Sequence, residues 1–211
     1  MLEQVVRKPD RERPALNFCV YCGSGMGRDP VYGEAARTLG RSLAEAGIGL
    51  VYGGGSLGLM GTVAGSVLDH GGYVTGIIPA FLSEKEQMLR RVDELVVTDD
   101  MHARKRLMFE HSDAFIALPG GIGTLEELVE QLTWAQLGRH EKPIVVVNIA
   151  GFWTPFLSLL QHMKEERFIR PGLDVSFTVV EDAGAIVKAA NAALSRHTHE
   201  TVDVHGLVAR F

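Results

Sequence analysis

Residues 118–127 read LPGGIGTLEE, placing three glycines, a threonine and two carboxylates within one short stretch. That combination suits binding a phosphate and cleaving a bond beside it. Glycine at 120, 121 and 123 lets backbone N–H groups approach an anion without interference from a Cβ. A helix starting near Thr124 would point the positive end of its dipole at the same place. Glu127 lies one turn into that helix, close enough to reach a sugar carried by the bound phosphate, and is the candidate catalytic carboxylate. Glu126 and Glu127 also fit a plainer role as first-turn acids, worth a few tenths to about 1 kcal/mol through the helix dipole. Arg104 and Lys105 form a basic pair at the start of the preceding helix, and by composition alone they read equally well as solvated charges.

These side chains need a strand before the loop and a helix after it. DAFIAL upstream is strand-like, and TLEELVEQLTWAQL downstream keeps apolar residues at helical spacing. The same alternation runs along the chain. Strands are expected near 16–22, 48–52, 73–78, 94–97, 113–118, 143–148 and 176–180, and helices near 31–46, 57–70, 101–111, 124–138, 154–166 and 182–195. This predicts an α/β fold, a Rossmann-like doubly wound and mostly parallel sheet with helices on both faces. Ligands of such sheets bind beyond the carboxyl ends of the strands, at the topological switch point. Three expected strand ends carry glycine turns: CGSGMG at 22–27, YGGGSLGLMG at 52–61 and PGGIGT at 119–124. Gly23, Ser24, Gly54 and Gly55 are the candidate ligand contacts of the first two. Ser24 and Thr62 suit either donation to phosphate or helix capping. One such turn is ordinary; three on one sheet edge point to a nucleotide or sugar phosphate.

A dinucleotide cofactor is disfavoured. The third glycine of a G-x-G-x-x-G fingerprint counted from Gly23 falls on Arg28, and the second strand, IGLVY, ends in glycines with no acid for a ribose. No cofactor is expected. The eight histidines show no compact metal pattern apart from His197 and His199 in a polar tail, so no metal is expected either. Cys19 and Cys22 form C-x-x-C at the end of the first strand instead of at a helix start, and read as reduced, partly buried thiols.

The length of 211 residues and 46% hydrophobic content suit one catalytic domain over 16–196, flanked by a flexible arm at 1–15 and a polar tail at 197–211. The net charge of −5, without a long basic run, argues against a nucleic-acid partner. No apolar run approaches ~18 residues and the first fifteen residues are charged, so neither a membrane span nor a secretory signal is expected, and the location expected is cytoplasmic.

The motifs MH-x-RK at 101–105, PGG-x-GT-x-x-E at 119–127 and TWAQLG-x-H-x-KP at 133–143 resemble the Lonely-Guy (LOG) family. Its members are cytokinin riboside 5′-monophosphate phosphoribohydrolases, often mislabelled as lysine decarboxylases. The resemblance extends from CGSG at 22 through YGGGSLGLMG to about residue 170. It implies a Rossmann-like fold, a homodimer or higher homo-oligomer with the active site near the subunit interface, and hydrolysis of the N-glycosidic bond of a nucleoside 5′-monophosphate to free base and ribose 5-phosphate. It implies Arg104 and Glu127 as the catalytic pair. It implies nucleotide contacts at Glu86, Lys105, Gly121 through Thr124, and Thr133. Ile122 stands where plant members often carry tyrosine, and its backbone amide remains. Met101 suits either a contact with the base or core packing, and Trp134 and Leu137 suit core or subunit interface.

The chemistry is consistent with those roles. Breaking a ribosyl C–N bond builds positive charge on the sugar and negative charge on the departing base. A carboxylate belongs beside the sugar, and a cation or proton donor beside the base. Two other readings share the glycine loops: a non-catalytic nucleotide-binding or carrier module, and a broad salvage nucleosidase acting on AMP. Lysine decarboxylation would require pyridoxal phosphate and a Schiff-base lysine, and no lysine motif with a pyridinium-directed acid is present.

Overall fold

The computed structural model describes residues 4–8, 11–83, 87–170 and 176–196. The candidate Glu86 and the tail at 197–211 lie outside the described residues. The sheet is built from β1 (Gln4–Arg7), β2 (Asn17–Tyr21), β3 (Gly49–Tyr52), β4 (Val74–Pro79), β5 (Glu94–Thr98), β6 (Ala114–Ala117), β7 (Ile144–Val147) and β8 (Thr178–Val180). Between them run α1 (Pro30–Glu45), α2 (Gly58–Asp69), the short α3 (Ala80–Ser83), α4 (Met101–Glu110), α5 (Ile122–Gln136) and α6 (Thr154–Glu165), followed by α7 over 186–196.

The strand order is β1-β5-β4-β3-β2-β6-β7-β8, parallel throughout except for β1. The chain winds from β2 outward to β5 and then returns to lay β6 on the other side of β2. The switch point therefore falls between β2 and β6, whose registers pair Val20 with Ile116 and Tyr21 with Ala117.

The central strands are buried on both faces, as a parallel sheet between helices requires. On β2, Phe18, Val20 and Cys22 face one core with Leu39 and Leu43 of α1, Val63 and Val67 of α2, and Ile186 of α7. Cys19 and Tyr21 face the other core, with Leu107 and Met108 of α4, Leu128 and Leu132 of α5, and Trp153. Each large apolar side chain sealed this way contributes roughly 1.5–3 kcal/mol.

Two elements depart from the sequence expectation. Within the segment expected as a flexible arm, Gln4–Arg7 form β1, which adds antiparallel to β5. Arg11 then ties the following turn to the sheet through Asp93 at 3.1 Å. Arg13 does the same through Glu94 at 3.0 Å. Both acids are buried, so these pairs hold the segment better than exposed ones would. The second departure is α3, too short to show a helical period in sequence.

Candidate active site

The three glycine turns meet above the switch point and are hydrogen-bonded to one another. The N–H of Gly23 donates to the carbonyl of Pro119 at 3.1 Å, and the Gly23 carbonyl accepts from Leu59 at 3.0 Å and Met60 at 3.3 Å, the first turn of α2. Glycine is required where the backbones touch. A Cβ on Gly23 would lie 3.2 Å from Gly120 Cα, and one on Gly120 would collide with the Thr124 hydroxyl.

A cavity of about 220 Å³ opens between these turns, lined by Cys22, Gly23 and Ser24 from the end of β2, Gly53 from the end of β3, and Gly121–Thr124 with Glu127 from α5. Arg104 and Met108 of α4 close the far wall. At Gly121 and Gly123 a Cβ would meet nothing within 4 Å, so glycine there keeps the space above the backbone clear. Gly121 is the N-cap of α5 and provides no side-chain hydrogen bond to its first turn. By contrast Asp29 and Asp100 cap α1 and α4 with their carboxylates. Most of the first backbone N–H groups of a helix have no partner inside it. Those at the start of α5 border the cavity, with the helix dipole behind them, and form a site for an anion.

Arg104 and Glu127 face each other across this space. Only 6% of Arg104 and 9% of Glu127 is exposed. Arg104 Nη2 lies 3.8 Å from Glu127 Oε1, longer than a direct hydrogen bond and short enough for strong attraction in a buried setting. The arginine Nη1 reaches Met101 Sδ at 3.7 Å, and its buried Nε–H has no hydrogen-bond partner among the described residues. A donor left so is costly, by about 1–3 kcal/mol, unless an acceptor arrives. Gly53 makes the placement of Arg104 feasible, because a Cβ there would run into the guanidinium. Cys22 borders the cavity but does not suit a nucleophile, since burial first and Glu127 second push its thiol pKa well up.

The structure does not bring every expected contact into this cavity. Gly54 and Gly55 sit beyond its wall. Gly54 takes φ +79° against Ile78, and Gly55 pairs with Met88, so the two anchor the 87–89 segment, while their neighbour Gly53 lines the cavity. Lys105 points across to α5, where its ammonium bonds Glu126 at 2.6 Å and Glu130 at 2.9 Å. Burial works against its charge, and the two carboxylates more than offset this, leaving its pKa above the ordinary lysine value. Thr133 is exposed and donates back to the Val129 carbonyl at 2.7 Å. Met101 touches the site only through Arg104. Gly53, Met60 and Met108 were not anticipated. Gly53 is the first of three consecutive glycines, and Met108 lies one helical turn after Arg104, a spacing that would have pointed to it.

The model of a family described as possible lysine decarboxylases matches residues 60–190. The cytokinin riboside 5′-monophosphate phosphoribohydrolase LOG of Oryza sativa subsp. japonica is 49% identical over 184 residues, 87% of this chain and 72% of that protein. The LOG3 enzyme of the same description from Arabidopsis thaliana is 52% identical over 154 residues, 73% of this chain and 72% of that one. Among solved structures, the Moco carrier protein from Chlamydomonas reinhardtii superposes with a TM-score of 0.63 at 23% identity, covering 88% of this chain and 99% of that one, a likeness of fold alone. The decarboxylase description implies pyridoxal phosphate, which the cavity does not fit: its lining contains no lysine to form the Schiff base, and nearby Lys105 is held by two carboxylates.

Proposed function

The chain belongs to the LOG family of cytokinin riboside 5′-monophosphate phosphoribohydrolases, and from that premise we infer that the cavity at the β2–β6 switch point is where it hydrolyses the N-glycosidic bond of nucleoside 5′-monophosphates to free base and ribose 5-phosphate. The observation that carries the assignment of the site is the buried Arg104–Glu127 pair beside the uncapped start of α5. The 5′-phosphate sits on the amides of Gly121–Thr124, and Ser24 and the Gly23 turn close the cradle from β2. Held by its phosphate, the ribose lies against Glu127, so binding energy remote from the bond positions the reacting carbon.

As the C1′–N bond breaks, its electron pair leaves with the base and C1′ gains oxocarbenium character, which the Glu127 carboxylate stabilises. Water adds to C1′ while Glu127 orients it and takes its proton, a contribution of about 10²–10⁴-fold for a general base. The proton is delivered to the departing base, which leaves neutral. Arg104 keeps its proton and acts electrostatically, its fork holding the phosphate or the negative charge developing on the base.

About 220 Å³ is small against the ~300–1,000 Å³ of sites that enclose a complete ligand, so the cavity holds the phosphoribosyl end and the base extends beyond it. On α5, Ile122, Val129 and Leu137 are exposed to 82%, 42% and 69%, and with Glu126 and Thr133 they form one stripe running away from the cavity. We therefore assign this stripe, Thr133 included, to a subunit interface in a homodimer or higher assembly, with Lys105 at its edge through its bond to Glu126. Sedimentation should show Val129→Asp with Leu137→Asp shifted to monomer with reduced turnover; an unchanged assembly would remove the stripe from the interface. A cytoplasmic location remains our reading, supported by two free, buried thiols.

The reaction itself is tested by release of base from isopentenyladenosine monophosphate and from AMP, with adenosine as the control lacking phosphate. Release from the monophosphates alone is expected. Equal turnover of adenosine would mean that the α5 cradle does not hold the substrate.

A further inference from the structure

A second concavity, on the opposite side of α2 from the catalytic cavity, carries chemistry that the reaction does not use. α1 and α2 pack closely at Gly40, where a Cβ would lie 2.6 Å from both Ser66 Cβ and the Val63 carbonyl. Beside this crossing a groove of about 680 Å³ opens, well within the ~300–1,000 Å³ range of small-molecule sites. Arg37 and Arg41, one turn apart on α1, form one wall, and Arg91 forms the other. Arg91 Nη1 bonds Asp69 at 2.8 Å in an exposed pair, and its Nη2 would lie 3.0 Å from a Cβ at position 65, so the glycine there makes room for the guanidinium. Arg37 makes no ion pair among the described residues, and Arg41 meets Glu45 only at 4.0 Å, an exposed contact worth little.

We propose that this groove binds a small sugar phosphate at a site separate from the catalytic cavity. Although the chain carries a net charge of −5, three arginines gather here against two carboxylates, Glu34 and Asp69. Guanidinium groups match the oxygens of a phosphate monoester with two parallel donors, which a point charge cannot do. Glu34 at the rim is an acceptor for sugar hydroxyls, as is the oxygen of Asp69 not bonded to Arg91. Neither Arg37 nor Arg41 borders the catalytic cavity, so the site stands independently of the hydrolysis.

The test is arginine footprinting with phenylglyoxal, read residue by residue by mass spectrometry, with ribose 5-phosphate, ribose or inorganic phosphate present. Ribose 5-phosphate should slow modification of Arg37, Arg41 and Arg91, by roughly tenfold at about ten times its dissociation constant. Ribose should give no protection, and inorganic phosphate distinctly less. The protection should persist in Glu127→Gln and weaken with added salt. Arg37→Ala with Arg41→Ala should keep turnover of nucleoside monophosphates while Arg91 loses its protection. Absence of protection, equal protection by inorganic phosphate, or protection of Arg91 retained in the double variant would each overturn the proposal, whatever the outcome for the hydrolysis.

Discussion

At the scale of single residues, the site depends on positioning one arginine without a side chain beneath it. Arg104 reaches Glu127 because Gly53 presents only a hydrogen to the guanidinium. Gly53→Ala should therefore lower kcat/KM by about 10²-fold or more, the usual cost of displacing a catalytic group by about an ångström. Gly54 provides the comparison, since its positive φ and its contact with Ile78 concern packing: Gly54→Ala should cost stability more than catalysis. Equal loss of activity per unit of lost stability in the two variants would contradict the assignment. The sequence separated these residues poorly. Three consecutive glycines after a strand announce a turn with unusual backbone, but which of them faces a ligand depends on where Arg104 arrives from α4, a contact between positions about fifty residues apart. Glu127 and Gly121–Thr124 were legible because one local motif contains strand end, cradle and helix start together.

At the scale of elements, helix starts divide the work. Asp29 and Asp100 each accept an amide of the first turn, Val31 in α1 and Ala103 in α4, whereas α5 begins at a glycine that offers its amides no side-chain cap. The start of α2 serves the site differently, by holding the Gly23 turn through the amides of Leu59 and Met60. Gly58 permits this with φ +58°, and a Cβ there would collide with the backbone of Ser24. Gly58→Ala should destabilise the fold by more than ~1 kcal/mol in a denaturant melt and raise KM for the monophosphate, because strain at positive φ adds to the clash. A stable variant with unchanged KM would mean that the Gly23 turn is not part of the phosphate cradle. The alternation of strands and helices was readable from apolar period, and α1, α2, α4, α5 and α6 lie close to their expected spans. β1 was not, because it lies on a sheet edge where Val5, Val6 and Arg7 are all exposed and show no alternating buried face. Lys105 likewise looks like a ligand contact in sequence, and only the neighbouring turns of α5 reveal that Glu126 and Glu130 hold it.

At the scale of the whole molecule, the winding order places every part of the site at one point. Because the chain runs β2 to β5 on one side and β6 to β8 on the other, the loops after β2 and β6 diverge in direction and leave a crevice between them. The α4–α5 pair closes it with one cation and one carboxylate. If this closed pair performs the hydrolysis, turnover of AMP by Glu127→Gln against the unaltered chain tests it most directly, with the melting curve of each recorded alongside. Turnover should fall by about 10²–10⁴-fold with the melting transition little changed. Turnover close to that of the unaltered chain, in a variant that melts normally, would contradict it.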